Sequence, residues 1–112
     1  MMPVLQFDKV PYEIVRPGLL RKIIHTDNLM TVLLDFSEGP WEKPEPAHSH
    51  PHEQTSFVSK GEIIFYCEGE ADQHLKAGDM FAVPSGKKHT IKLLTEKVRL
   101  VDSFNPIRED FL

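Results

Sequence analysis

The sequence predicts an all-β domain that closes into a jelly roll or small barrel, and three observations carry this prediction. Strand-like segments recur at short intervals with turn residues between them. No segment shows a long apolar period of 3.6 residues. Eight such strands within 112 residues must pair face to face or close, because an open sheet leaves exposed edges and one apolar face in water.

The elements follow in order along the chain. An N-terminal edge strand precedes a strand over 18–26. The segment 29–36 is the clearest: Met30, Val32, Leu34 and Phe36 alternate onto one face, bracketed by the turn residues Asp27-Asn28 and Ser37-Glu38-Gly39-Pro40. The stretch 40–46 has three prolines, which remove ladder donors, so it reads as a loop near the barrel mouth. Trp41 within it fits either a mouth residue or a cover for a strand edge. Strands follow at 54–59 and 62–68, with Lys60-Gly61 between them, and at 70–76 after Glu68-Gly69, glycine supplying the positive φ of tight hairpins. Lys76-Ala77-Gly78-Asp79 turns the chain into a strand at 80–83, and strands at 89–94 and 98–104 complete the set, with antiparallel meandering connections expected. Residues 108–112 suit one helical turn after Pro106 or an extended tail.

The chain has the size of one domain, taken to span 1–112. A net charge of -4 with scattered lysines and arginines gives no footprint for nucleic acid or an anionic membrane. No apolar run approaches the roughly 20 residues of a membrane helix, so no membrane partner is expected. The lone Cys67 cannot form an internal disulfide, and the N-terminus has neither a basic start nor a long apolar stretch, which makes the cytoplasm the expected location.

The most informative residues are His48, His50, Gln54 and His89. H-x-H-x3-Q with a later histidine can gather four ligands around one metal ion, and strand alternation would put His48 and His50 on one face. Three neutral imidazoles and an amide oxygen suit one divalent transition metal, Zn, Fe, Mn or Ni among them, rather than Ca or Mg. His52 is a rival by parity, but Pro51 beside it points to a rim position, and His25 and His74 read as surface residues. On the last strand Val98, Leu100, Asp102 and Phe104 share a face. A carboxylate pointing into a barrel is unfavourable unless a cation, a metal-bound water or a donor offsets its desolvation, which marks Asp102 as a candidate for proton transfer. The plain alternative is an ion pair with Arg99 or Arg108.

H-S-H-P-H-E-Q-T-S-F-V-S-K-G resembles the first motif of the cupins, and G-D-M-F-A-V-P-S-G-K-K-H resembles their second. The resemblance implies a double-stranded β-helix, the cupin jelly-roll barrel, with metal-ligand roles for His48, His50, Gln54 and His89. Gln54 stands where many cupins have glutamate, leaving the site more positive by one charge. Dimerisation is usual among small cupins, so the resemblance also implies a homodimer. The ending V-D-S-F-N-P-I-R-E-D-F-L and the opening G-L-L-R-K-I-I-H-T-D-N-L-M-T-V are similar to those of the pectin-degradation, KdgF-like cupins, which linearise unsaturated uronic acid monomers. Their matching positions place a carboxylate, an aromatic ring and an arginine around the substrate, here Asp102, Phe104 and Arg108.

The expected partner is therefore a small acidic sugar. Arg108 offers a planar fork for its carboxylate, against the plain alternative of a surface pair with Glu109 or Asp110. Phe104 suits the apolar face of the sugar ring, although a core position is the commoner fate of phenylalanine. Two other readings stay open on the sequence: an iron-dependent dioxygenase of a small acid, and a non-catalytic module that binds metal and a small ligand.

Overall fold

The computed structural model describes residues 3–112. Nine strands form two antiparallel sheets: β1 (Glu13–Arg16), β2 (Leu19–His25), β3 (Met30–Phe36), β4 (Glu53–Lys60), β5 (Glu62–Cys67), β6 (Gln73–Lys76), β7 (Met80–Val83), β8 (His89–Leu93) and β9 (Val98–Asn105). The larger sheet runs β1-β2-β3-β9-β4-β7 and the smaller β6-β5-β8. The all-β jelly roll expected from the sequence is the fold observed, and the N-terminal edge strand exists as β1.

The connections differ from a meander. Only β1-β2-β3 follow one another in the larger sheet, and β9 returns from the end of the chain to lie between β3 and β4. Lys60-Gly61 does not make a hairpin either, since β4 and β5 belong to different sheets. It is a corner between sheets, and Gly61 is needed twice over there: its φ is +83° and a Cβ would lie 2.3 Å from the Lys97 carbonyl oxygen. The sixth strand starts at Gln73 rather than Glu70, because the chain is still completing the turn at Glu68-Gly69.

Strand alternation sorts side chains by polarity along the barrel axis. On β9 the inward residues are Val98, Leu100, Asp102 and Phe104, all buried. Leu19, Phe36, Val58, Ile63, Leu93, Val98 and Leu100 form an apolar plug at one end. Burying a side chain of this kind contributes about 1.5–3 kcal/mol, and the plug gathers most of the buried valine, leucine and isoleucine side chains. Toward the other end the inward positions turn polar: Ser56 lies opposite Asp102, and Gln54 opposite Phe104.

The proline-rich stretch is more ordered than a mouth loop. It runs along the free edge of β8, where Trp41, Glu45 and His48 donate backbone N–H groups to Leu93, Ile91 and His89 at 3.0, 3.3 and 3.1 Å. Pro44 and Pro46 lack donors, so the segment covers the edge without becoming a strand. The Trp41 ring packs edge-on to Phe36 at 5.8 Å between centroids, which makes it an edge cover belonging to the apolar plug. At the other end of the chain, Glu109–Phe111 forms a single 3-10 turn. Among the described residues no helix is long and apolar enough to cross a membrane.

Candidate metal centre

Two stretches of chain, one around His48 and His50 and one at His89, bring the histidines together at the polar end. His89 opens β8, and His48 makes an isolated antiparallel bridge with it. His50 lies outside any strand, so the expectation of one strand carrying both His48 and His50 is corrected: Pro51 and the bend that follows end the extended run. The backbone is held nonetheless, because Gly86 N–H donates to the His50 carbonyl at 2.9 Å. The ligand nitrogens of His48, His50 and His89 all lie within 4.8 Å of one another.

The surroundings prepare these rings for a metal. His50 Nδ1 lies 2.9 Å from the His52 carbonyl oxygen, and His89 Nδ1 lies 3.0 Å from the Lys87 carbonyl oxygen. A carbonyl only accepts, so each Nδ1 carries the proton and each Nε2 lone pair faces the cluster. Burial, with the neighbouring histidines and Arg108, pushes His48 down to about 4. Burial lowers His89 as well, with His50 and Arg108 acting in the same direction and the Lys87 carbonyl opposing them. Neutral imidazoles are the form that binds metal.

Gln54 adds an oxygen in a telling position. Its Nε2 donates to Ser56 Oγ at 3.0 Å and faces Asp102 Oδ2 at 3.5 Å, which turns Oε1 toward His50 Nε2, 3.1 Å away. With the His50 proton on Nδ1, two lone pairs converge there without a hydrogen between them. A cation bound to both removes the repulsion. The donor set, three imidazoles and one amide oxygen, fits a borderline transition metal.

Asp102 is where the sequence placed it, inside the barrel and 5% exposed. Its pairing with Arg99 is ruled out, since Arg99 points to the other face and holds Asp35 at 2.7 and 2.8 Å. Oδ1 has no hydrogen-bond partner among the described residues. Burial pushes the carboxyl up to about 7, against a hydrogen bond from Ser56 and the charge of Arg108. Such a group exchanges a proton readily near neutrality.

Arg108 lies over the rings of Phe111 and Phe104, 4.2 and 5.4 Å from their centroids. It also makes the ion pair with Asp110 that the sequence allowed, so the pair and the stack coexist. Phe104 is 3% exposed and edge-on to His50 at 5.8 Å, which makes it a core residue adjoining the metal centre. His52 sits at the rim as expected, with Arg108 and His50 nearby. His74 is exposed and His25 half-buried.

Sequence reasoning missed Ser56 and the C-terminal stack. The signal for Ser56 was parity: it shares the inward face of β4 with Gln54 and Val58. Arg21 and Phe111 had no local signal. Arg21 lies 4.6 Å from the Phe111 ring centroid and bonds the Phe111 carbonyl at 3.3 Å and Glu13 at 2.7 Å, contacts that exist only once β2 and the chain terminus meet.

A two-sheet barrel with a histidine cluster at its polar end defines a class of jelly-roll metal-site proteins. Residues 37–104 match the family model described as Cupin domain, and the chain belongs to that family. It is 36% identical over 107 residues to the pectin degradation protein KdgF of Dickeya dadantii (strain 3937), with 94% of each chain covered. Among solved structures it is similar to KdgF from Halomonas sp., with a TM-score of 0.85, 33% identity and 96% and 97% of the two chains covered. An RmlC-like cupin from Shewanella frigidimarina NCIMB 400 gives a TM-score of 0.89 at 31% identity, covering 100% and 97%. The resemblance read from the two motifs is thus borne out across nearly the whole chain.

Proposed function

We propose that this protein, acting as one cupin domain over 1–112, linearises a 4,5-unsaturated monouronate to its open-chain keto form. The observation that carries the reading is a buried carboxyl poised near neutrality, Asp102, beside a three-histidine and glutamine donor set, in a chain whose relative is named for pectin degradation. The reaction is an isomerisation. The proton leaves the anomeric hydroxyl, the bond from C1 to the ring oxygen breaks to give an aldehyde, and a proton adds at C4 as the enol at C5 becomes a ketone. Atoms and electrons balance without an oxidant.

His48, His50, Gln54 and His89 would hold one divalent transition metal, Zn, Fe, Mn or Ni. Bound there, such an ion supplies charge stabilisation for a substrate oxygen. Asp102 takes the hydroxyl proton and returns one to C4, and its free Oδ1 is the atom available for both transfers. Ser56 steadies the opposite oxygen. Arg108 receives the substrate carboxylate, and Phe104, buried beside His50 and beneath Arg108, backs both from the core.

The test is the loss of ultraviolet absorbance of the unsaturated monouronate with metal-loaded protein, compared with Asp102→Asn protein carrying equal metal and with the spontaneous reaction, in the absence of oxygen. Acceleration abolished by the substitution supports the reading, and no acceleration over background overturns it. We further propose a homodimer in the cytoplasm. The single buried Cys67 suits a reducing compartment, and the exposed apolar side chains Ile14, Phe57 and Met80 on the larger sheet suit a partner copy. Light scattering of the purified protein measures the second point.

A further inference from the structure

We propose that Asp110 is an internal occupant of the anion site: its carboxylate holds the edge of the Arg108 guanidinium that a substrate carboxylate takes, and an incoming ligand must displace it. The inference rests on the functional reading above, in which Arg108 receives an acidic sugar. It gives a surface carboxylate two residues away a part in setting affinity and selectivity.

The geometry is that of a bound ligand. Arg108 Nε donates to Asp110 Oδ1 at 3.2 Å and Nη2 donates to Oδ2 at 2.7 Å. Two parallel bonds to one edge are what a free carboxylate makes with a guanidinium. The two partners differ in freedom. The Arg108 side chain is 15% exposed and that of Asp110 is 56% exposed.

The guanidinium does not depend on Asp110 for its place. Phe111 lies against it on one side, and Phe104 lies close by as well. Phe111 is in turn backed by Arg21, which grips the Phe111 carbonyl and Glu13. Phe104 adjoins His50. Arg108 is therefore set in a stack that runs from the edge strand to the metal centre, while Asp110 touches only its edge.

Two consequences follow from charge and shape. With Asp110 in place the pair sums to zero, so an approaching anion meets little net attraction. Removing the Asp110 charge exposes the full positive charge of Arg108 and should tighten carboxylate binding about fivefold, the upper end of what an exposed ion pair contributes. A planar carboxylate replaces Asp110 bond for bond, whereas chloride cannot, so the occupant also selects against simple anions.

The experiment uses full-length, metal-loaded protein and D-galacturonate, a saturated uronate that has no double bond to rearrange. Calorimetric titration compares wild type, Asp110→Asn and Glu109→Gln, the last removing the same charge from the neighbouring exposed residue. In parallel, nitrogen-15 spectra follow the Arg108 Nε–H signal. The expected result is binding about fivefold tighter in Asp110→Asn and unchanged in Glu109→Gln, with the Nε–H signal shifting in Asp110→Asn before any ligand is added. Equal tightening in both variants would make the effect one of net charge and overturn the assignment. Weaker binding in Asp110→Asn would overturn it too, showing that Asp110 orients Arg108. If no protein binds the uronate and none turns over the unsaturated substrate, the functional reading itself falls, whereas uronate binding equal in wild type and Asp110→Asn overturns the Asp110 assignment alone.

Discussion

Replacing Asp102 with asparagine should stabilise the metal-free protein and disable the metal-loaded one. Burial carries the carboxyl from 3.8 to about 7 in spite of Ser56 and Arg108, a difference corresponding to about 4 kcal/mol against the ionised form in the fold. Because the folded value lies above the unfolded one, the folded protein keeps a proton that the unfolded chain has released. The associated stability is complete below about pH 4 and is lost as pH rises through about 7. Asparagine has no proton to lose. The stability difference between variant and wild type should therefore be near zero at pH 4 and grow toward about 4 kcal/mol above pH 7. For a domain of this size each kcal/mol moves the thermal midpoint by about 4–8 °C. Urea denaturation of chelator-treated proteins at several pH values between 4 and 8 measures the difference directly. A pH-independent difference, or an asparagine variant less stable than wild type at pH 8, would refute the reasoning. In the metal-loaded protein the same substitution should lower kcat by about 10²–10⁴-fold, the usual worth of a positioned acid or base.

Three further outcomes are expected. Chelation should lower the melting temperature of wild type, by the equivalent of about 4 kcal/mol where free metal had stood 1,000-fold above its Kd, and His89→Ala should melt identically with and without chelator. Asp35→Asn should cost about 1–2 kcal/mol at pH 7, since Asp35 accepts from Arg99 and Tyr12. Burial opposes ionisation of Asp35, yet those bonds hold its carboxyl below the ordinary value, so its contribution is present above about pH 4 and is lost as pH falls further, and acid titration of the two melting curves should converge there. Gly39→Ala should destabilise by about 1–3 kcal/mol, because the new Cβ would lie 2.0 Å from the Thr95 carbonyl oxygen. Gly86→Ala, with open space around it, should lose only about 1–2 kcal/mol from its positive φ, and thermal melts of the pair separate the two causes.

What the sequence made legible was whatever obeys a period of two. Met30, Val32 and Phe36 face inward as their alternation requires, and so do Val98, Leu100, Asp102 and Phe104. Asp102 stood out because a carboxylate in an apolar row violates a strong rule. Order between strands was not legible: nothing local in 98–105 says that it pairs with β3 on one side and β4 on the other. The same limit hid the link between Arg21 and Phe111, and it made His48 and His50 look like one strand when Pro46 and Pro51 allow only a single bridge. Ser56 was visible by parity, yet a serine on a half-buried face is so ordinary that its partner had to be seen first.

The pairing of Gln54 with Phe104 and of Ser56 with Asp102 has an architectural consequence. A candidate metal ligand, Gln54, and the candidate proton carrier, Asp102, sit two rungs apart on the same inward face of one ladder, so their spacing is dictated by the repeat of two hydrogen-bonded strands. Arg108, which would receive the substrate carboxylate, sits with Asp110 and Phe111 on a short tail outside that ladder. The candidate reactive groups and the candidate carboxylate contact thus lie on separate pieces of chain. The tail is a replaceable front end: exchanging residues 106–112 for another sequence leaves the rungs that carry Gln54, Ser56 and Asp102 at their distances.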